Sequence, residues 1–224
     1  IGYVNANAYS CIENKNSSEP RVLTSGNQHC GATMSKKIIS LIIALLFFSS
    51  AFSAEKYYNV NVLVYAQLTP AALSAERWPV VTPISVDSET LQSNSPLAEF
   101  SQDQRRIAQN PNYRVLFNGR WKLTWPTTNT VITLPIEGGA QWGNQRELMG
   151  NIRVSLDRYF DTNTVLQLTE PTDKLRDISK IPYFHEWDQP YFSFQLMQAR
   201  RMRSNELNLL ENPVLGVLIK VTPA

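Results

Sequence analysis

The chain has little of what reactive protein sites usually use. Its 224 residues include two cysteines and two histidines. Both cysteines, Cys11 and Cys30, and one histidine, His29, precede Met34. From Met34 onward there is no thiol. That excludes disulfides, thiolate nucleophiles and Cys-dependent hydrolases or transpeptidases. It also excludes a lipid-bearing cysteine after the apolar segment. The remaining histidine, His185, lies in FHEWD beside Glu186 and Asp188. Zinc sites usually take two or more His or Cys ligands, so His185 reads as a surface-loop residue. A Ser-His-Asp triad would have to use it, and there is no G-x-S-x-G elbow. Asp and Glu are plentiful, so composition leaves a carboxylate-pair glycosidase open, but no pair stands out.

Long hydrophobic runs are also scarce. Ile38 to Phe48 is an 11-residue apolar stretch interrupted by Ser40, whereas a membrane-spanning helix needs about 20 residues. Lys36 and Lys37 precede it, and Ser49, Ser50, Ala51, Ser53 and Ala54 follow. This is the layout of a secretory signal peptide over residues 34–54. Cleavage after Ala51 or Ser53 places small residues at both required positions, so the exported protein is expected to begin near Glu55. Residues 1–33 are expected to be upstream translation or a disordered extension. An exported chain without cysteines fits a bacterial periplasm.

Net charge is missing from the exported part as well. Of 21 basic and 19 acidic side chains, Lys15, Arg21, Lys36, Lys37, Glu13 and Glu19 precede Glu55, which leaves 17 of each sign. A neutral domain gives no basis for bulk attraction to nucleic acid. Residues 55–224 suit one domain with its own core.

What is present is mostly β pattern. Tyr57–Leu68 (YYNVNVLVYAQL) sets Val60, Val62 and Val64 on one face and Leu63 and Tyr65 on the other, which predicts a strand covered on both faces. Thr69–Pro96 holds four prolines and predicts an excursion with one short helix near Ala71–Glu76. Leu97–Gln109 predicts a helix ended by NPN. Tyr113–Trp125 alternates around Asn118-Gly119, either a hairpin or a bulge in one long strand. Thr130–Ile136 predicts a strand followed by a Gly138-Gly139 loop. Glu147–Phe160 is half-buried in pattern, with Ile152, Val154, Leu156 and Phe160 opposite Arg153, Asp157 and Tyr159. Asp161–Asn163 reads as a turn, and Pro171–Pro190 as irregular. Two strands, YFSFQLMQARRM and PVLGVLIKV, close the chain. The sum is an α+β domain with a mainly antiparallel sheet of six to seven strands and one or two short helices.

All five tryptophans lie after Glu55: Trp78, Trp121, Trp125, Trp142 and Trp187. Sugars bind flat on exposed aromatic rings. Trp121 and Trp125 share a strand face and read as packed, while Trp142 and Trp187 read as exposed loop residues. Near the C-terminus, Arg200, Arg201 and Arg203 form a basic cluster. If Phe192, Phe194 and Leu196 face inward, Arg200 shares their face and Arg201 and Arg203 take the other. The sheet end must then be open, or the strand must bulge near Ala199. Such arginines fork onto carboxylates or phosphates, or else pair with Glu206 and Glu211 or face water.

RRMRSNELNLLENPVLGVLIKV (Arg200–Val221) resembles the C-terminal signature of the CsiV family: R-R-x-R-S-x-E-L, a proline, then an apolar strand with one glycine. YYNVNVLVY, YRVLFNGRW and GNIRVSLDRYF agree in order. The pattern departs where the family tends to carry histidines: Asn208-Leu209, Glu211-Asn212-Pro213 and Phe160-Asp161 stand there instead, which puts any His-dependent contact in doubt. The resemblance implies a non-catalytic periplasmic peptidoglycan-binding protein that supports cell-wall synthesis; together with the composition, the expectation is no cofactor, no metal and no stable membrane anchor. The ligand-binding set it suggests, with the aromatic reading, is Arg200, Arg201, Arg203, Ser204, Glu206, Arg153, Arg158, Tyr159, Trp142 and Trp187. The alternative is an adaptor that docks a penicillin-binding protein or its lipoprotein activator.

Overall fold

A computed structural model describes residues 56–82, 84, 100–128, 130–143 and 145–224. The chain divides into two units, residues 1–52 and 53–224, and every described residue belongs to the second. The expected signal peptide lies outside the described residues.

Eight strands form two four-stranded antiparallel sheets. They are β1 (Tyr57–Gln67), β2 (Tyr113–Thr124), β3 (Val131–Trp142), β4 (Gln145–Leu156), β5 (Phe160–Pro171), β6 (Tyr191–Met202), β7 (Leu207–Glu211) and β8 (Leu215–Pro223). Sheet I has the order β2-β1-β8-β7, and sheet II the order β3-β4-β5-β6. Four short helices complete the described chain: α1 (Pro70–Ser74), α2 (Ser101–Ala108), α3 (Thr172–Ile178) and α4 (Pro182–Glu186).

The alternation in β1 explains its central place. Val60, Val62 and Val64 are fully buried, in register with Val221, Ile219 and Val217 of β8. Each such aliphatic side chain contributes roughly 1.5–3 kcal/mol. Leu63, on the other face, is also fully buried. There α2 lies along β2, and Asn118, the register partner of Leu63, donates to Gln104 at 2.7 Å. The inward face of sheet II carries Ile152, Val154, Leu166, Leu168, Phe192, Phe194 and Leu196, all buried in one cluster with the valines of β1. Tyr58 and Trp125 from the sheet I side meet Phe160 edge-on.

Two seams join the sheet edges. At one, β3 passes so close to β2 that a Cβ on Gly138 would collide with the Leu116 carbonyl. At the other, side-chain amides bridge β6 and β7: Gln198 donates to Glu211 O at 2.8 Å, and Asn212 donates to Gln195 O at 3.1 Å.

Several local expectations need correction. Asn118-Gly119 makes no hairpin; β2 runs straight through it, and its register shift falls at Leu116. Gly138-Gly139 is no loop but a bulge within β3, where Gly139 takes a φ of 72°. The turn sits at residues 157–159, and Asp161–Asn163 is paired strand. β5 reaches Pro171, and the segment read as irregular folds into α3 and α4. The C-terminal run holds a strand, β7, that the sequence pattern did not show.

Candidate functional site

Register fixes the arginine side chains. β5 and β6 pair without a break, so Thr162 faces Arg200, Asp161 faces Arg201 and Phe160 faces Met202. There is no bulge near Ala199. Arg200 shares the inward parity of Phe192 and Phe194 yet is exposed, because β6 is the edge of sheet II and that edge is open between Gln198 and Met202. Met202 then closes the core again at 2% exposure.

Arg201 leaves the opposite face. Its Nε donates to Asp161 Oδ1 at 2.8 Å, and its NH2 donates to Oδ2 at 3.3 Å. These hydrogen bonds, then the Asp161 charge, raise the Arg201 pKa further above its ordinary value. Three guanidiniums stand over the half-buried Tyr159 ring: Arg158 at 5.6 Å, Arg201 at 5.7 Å and Arg203 at 5.9 Å. Each falls within the distance at which a ring quadrupole attracts a cation. Arg203 reaches Glu206 at 3.8 Å. Arg153 is exposed on the same outer face as Arg201, two strands away and two residue pairs along.

Residues 203–206 form the corner that carries the chain from sheet II to sheet I. Asn205 adopts a left-handed φ of 66°, which Asn tolerates better than most residues. Its N–H donates to Val221 O at 2.7 Å. Ser204 turns its Oγ away from solvent, and among the described residues it meets no hydrogen-bond partner. It shapes the corner and presents no hydroxyl to a ligand.

The tryptophans do not join the arginines. Trp142 ends β3 rather than sitting in a loop; it is half-buried and donates Nε1–H to Thr169 O at 3.3 Å. Trp187 follows α4, also half-buried, and donates to Tyr191 O at 3.0 Å. Both meet near Tyr191, the first residue of β6. The two groups are thus separated by the length of β6, twelve residues, or roughly 35 Å at the usual strand rise. One site anticipated from sequence is two surfaces in the fold. Asp161 and Tyr191 were not anticipated. The signal for Asp161 was available only through strand register, and Tyr191 opens its strand directly after a proline.

The structure also singles out a carboxylate pair. Glu147 and Glu170 are both 0% exposed. Glu147 binds Arg114 and accepts from Ala140 N at 2.7 Å. Glu170 binds Arg114 at 3.0 Å and Lys174 at 2.7 Å. Arg114 thus links the two buried carboxylates, and Lys174 adds a second cation at Glu170. His185 is exposed on α4 rather than in a loop, with Nε2 3.2 Å from Ser179 O. Among the described residues no group of three His, Cys, Asp or Glu is placed to hold a metal, and no helix is long and apolar enough to cross a membrane.

A family model described as peptidoglycan-binding protein CsiV matches residues 85–224. The chain belongs to the CsiV family. The match takes in the arginine strand, the corner and the aromatic end together. No curated protein matches the chain significantly. Among solved structures, the InvG secretin domain β-barrel from the Salmonella SPI-1 injectisome NC-base is similar at 7% identity over 84% of this chain and 67% of that one. Its TM-score is 0.25, which carries no argument about the CsiV fold.

Proposed function

We propose that this CsiV-family chain is a non-catalytic periplasmic protein that binds peptidoglycan and supports cell-wall synthesis. On this reading the arginine end of sheet II contacts anionic groups of the wall, and no cofactor takes part. The observation that carries it is the cation cluster on Tyr159: three guanidiniums share one ring, and only Arg201 is held by a carboxylate at two points. Arg153, Arg158 and Arg200 have no ion pair among the described residues. Five arginines against Asp157, Asp161 and Glu206 leave a local positive excess on a domain that is neutral overall. Stem peptides of the wall carry carboxylates, which guanidinium forks bind in plane.

The test is co-sedimentation of the purified full chain with isolated sacculi at low and high salt. The protein should pellet, and more at low salt. The double variant Arg201→Ala, Arg203→Ala should fold, since both side chains are exposed, and bind about tenfold more weakly, as expected for the loss of two exposed ionic contacts. If the double variant fails to fold, the arginines are structural. If the intact protein stays in the supernatant under both conditions, the adaptor reading takes over, with a penicillin-binding protein or its lipoprotein activator as partner. One observation favours that second reading: Leu207 and Leu209 on β7 are 54% and 42% exposed, side by side on the outer face of sheet I.

A further inference from the structure

The aromatic end of sheet II holds a cleft of about 240 Å³, lined by Trp187, Tyr191, Ser193, Gln145, Gln189 and the valine pair at 80 and 81, among others. That is smaller than the pockets that enclose drug-sized ligands. We infer that this cleft takes one N-acetylated amino-sugar ring, an inference that rests on the peptidoglycan-binding reading and assigns the glycan a surface apart from the arginines.

The lining includes no charged side chain, so it selects a neutral group and leaves the carboxylates of the wall to the opposite end. Its rings are fixed before any ligand arrives. Trp187 Nε1–H is bound to Tyr191 O, and Trp142 stacks on Tyr191 at 6.4 Å and 29°. With both indole N–H groups held by the backbone, the rings offer apolar surface, which suits the C–H face of a pyranose. Ser193 Oγ and Thr169 Oγ1 are 2.8 Å apart, and Gln145 Nε2 donates to Thr169 Oγ1 at 3.4 Å. That leaves Gln145 Oε1, and likewise Gln189 Oε1, as acceptors with no partner among the described residues. Such acceptors fit an acetamido N–H or a sugar hydroxyl, while Val80 and Val81 give the acetyl methyl an apolar wall. Walls ordered in advance reduce the entropy lost on binding.

The test uses a trisaccharide of β-1,4-linked N-acetylglucosamine, which carries the sugar chemistry without stem peptide or carboxylate. Titrated into the full chain and followed by two-dimensional NMR, it should saturate and shift the Trp187 indole N–H and the backbone amides of Gln189, Tyr191, Phe192 and Ser193. Tyr191→Ala, at a ring 38% exposed, should weaken binding about tenfold, the loss of one aromatic contact. Arg201→Ala should leave trisaccharide binding unchanged, as should added salt. No saturable shift, or shifts gathered around Tyr159, overturns the inference even if sacculi still pellet the protein, and the wall-binding reading then survives alone. Saturable shifts at Trp187 without sacculus pelleting keep the cleft as an amino-sugar site and remove the wall-binding reading.

Discussion

Gly216 and Tyr65 face each other across the β1–β8 pair. A Cβ on Gly216 would fall well inside van der Waals contact with Cζ and Oη of Tyr65. The ring cannot bend away, because Tyr65 is half-buried and packs edge-on against Tyr113 at 5.5 Å. The single glycine in the apolar run PVLGVLIKV is therefore the space for a tyrosine 151 residues earlier. Gly216→Ala should destabilise the domain by about 1–3 kcal/mol through overpacking, read as a lower urea midpoint. Adding Tyr65→Ala should remove most of that cost, because neighbours that collide are not additive. An equal cost of Gly216→Ala in both backgrounds would mean that the strain lies in the backbone.

β6 shows at the scale of an element what sequence alone conveys. Its period-2 pattern places Phe192, Phe194 and Leu196 inward and Arg201 and Arg203 outward, and the structure agrees on each. That was legible because alternation along a strand is local. Asp161 was not. An Asp-Thr-Asn run favours turns, but pairing with a strand 40 residues later overrides that preference and turns the aspartate into the counterion of Arg201. The aromatic cleft was equally hidden, since it needs Val80, Gln145 and Ser193 from three distant segments. The Asp161 pairing gives a prediction. The ion pair is 68% and 45% exposed, so Asp161→Asn should change stability by less than about 1 kcal/mol. It should nevertheless strengthen binding to sacculi at low salt, because it frees a guanidinium that already sits on Tyr159. A binding isotherm identical to wild type would show that Arg201 does not touch the wall.

On the scale of the whole molecule, sheet II has an arginine cluster at one end and an aromatic cleft with an uncharged lining at the other. The two ends should respond differently to salt. At 0.1 M ionic strength charges are screened over about 10 Å, and at 1 M over about 3 Å. Exposed arginines should therefore lose their hold as salt rises, whereas stacking and hydrogen bonding in an uncharged cleft should not. Sacculus binding by the wild type should fall with salt to a plateau above zero. Tyr191→Ala should bind at low salt and lose the plateau. Arg201→Ala, Arg203→Ala should bind weakly at every salt concentration, with little slope. A wild-type curve that falls to zero would mean that the arginine end acts alone, and a flat one that it contributes nothing. If the plateau persists in Tyr191→Ala, the salt-independent contact lies elsewhere, and the exposed leucines of β7 are the next surface to change.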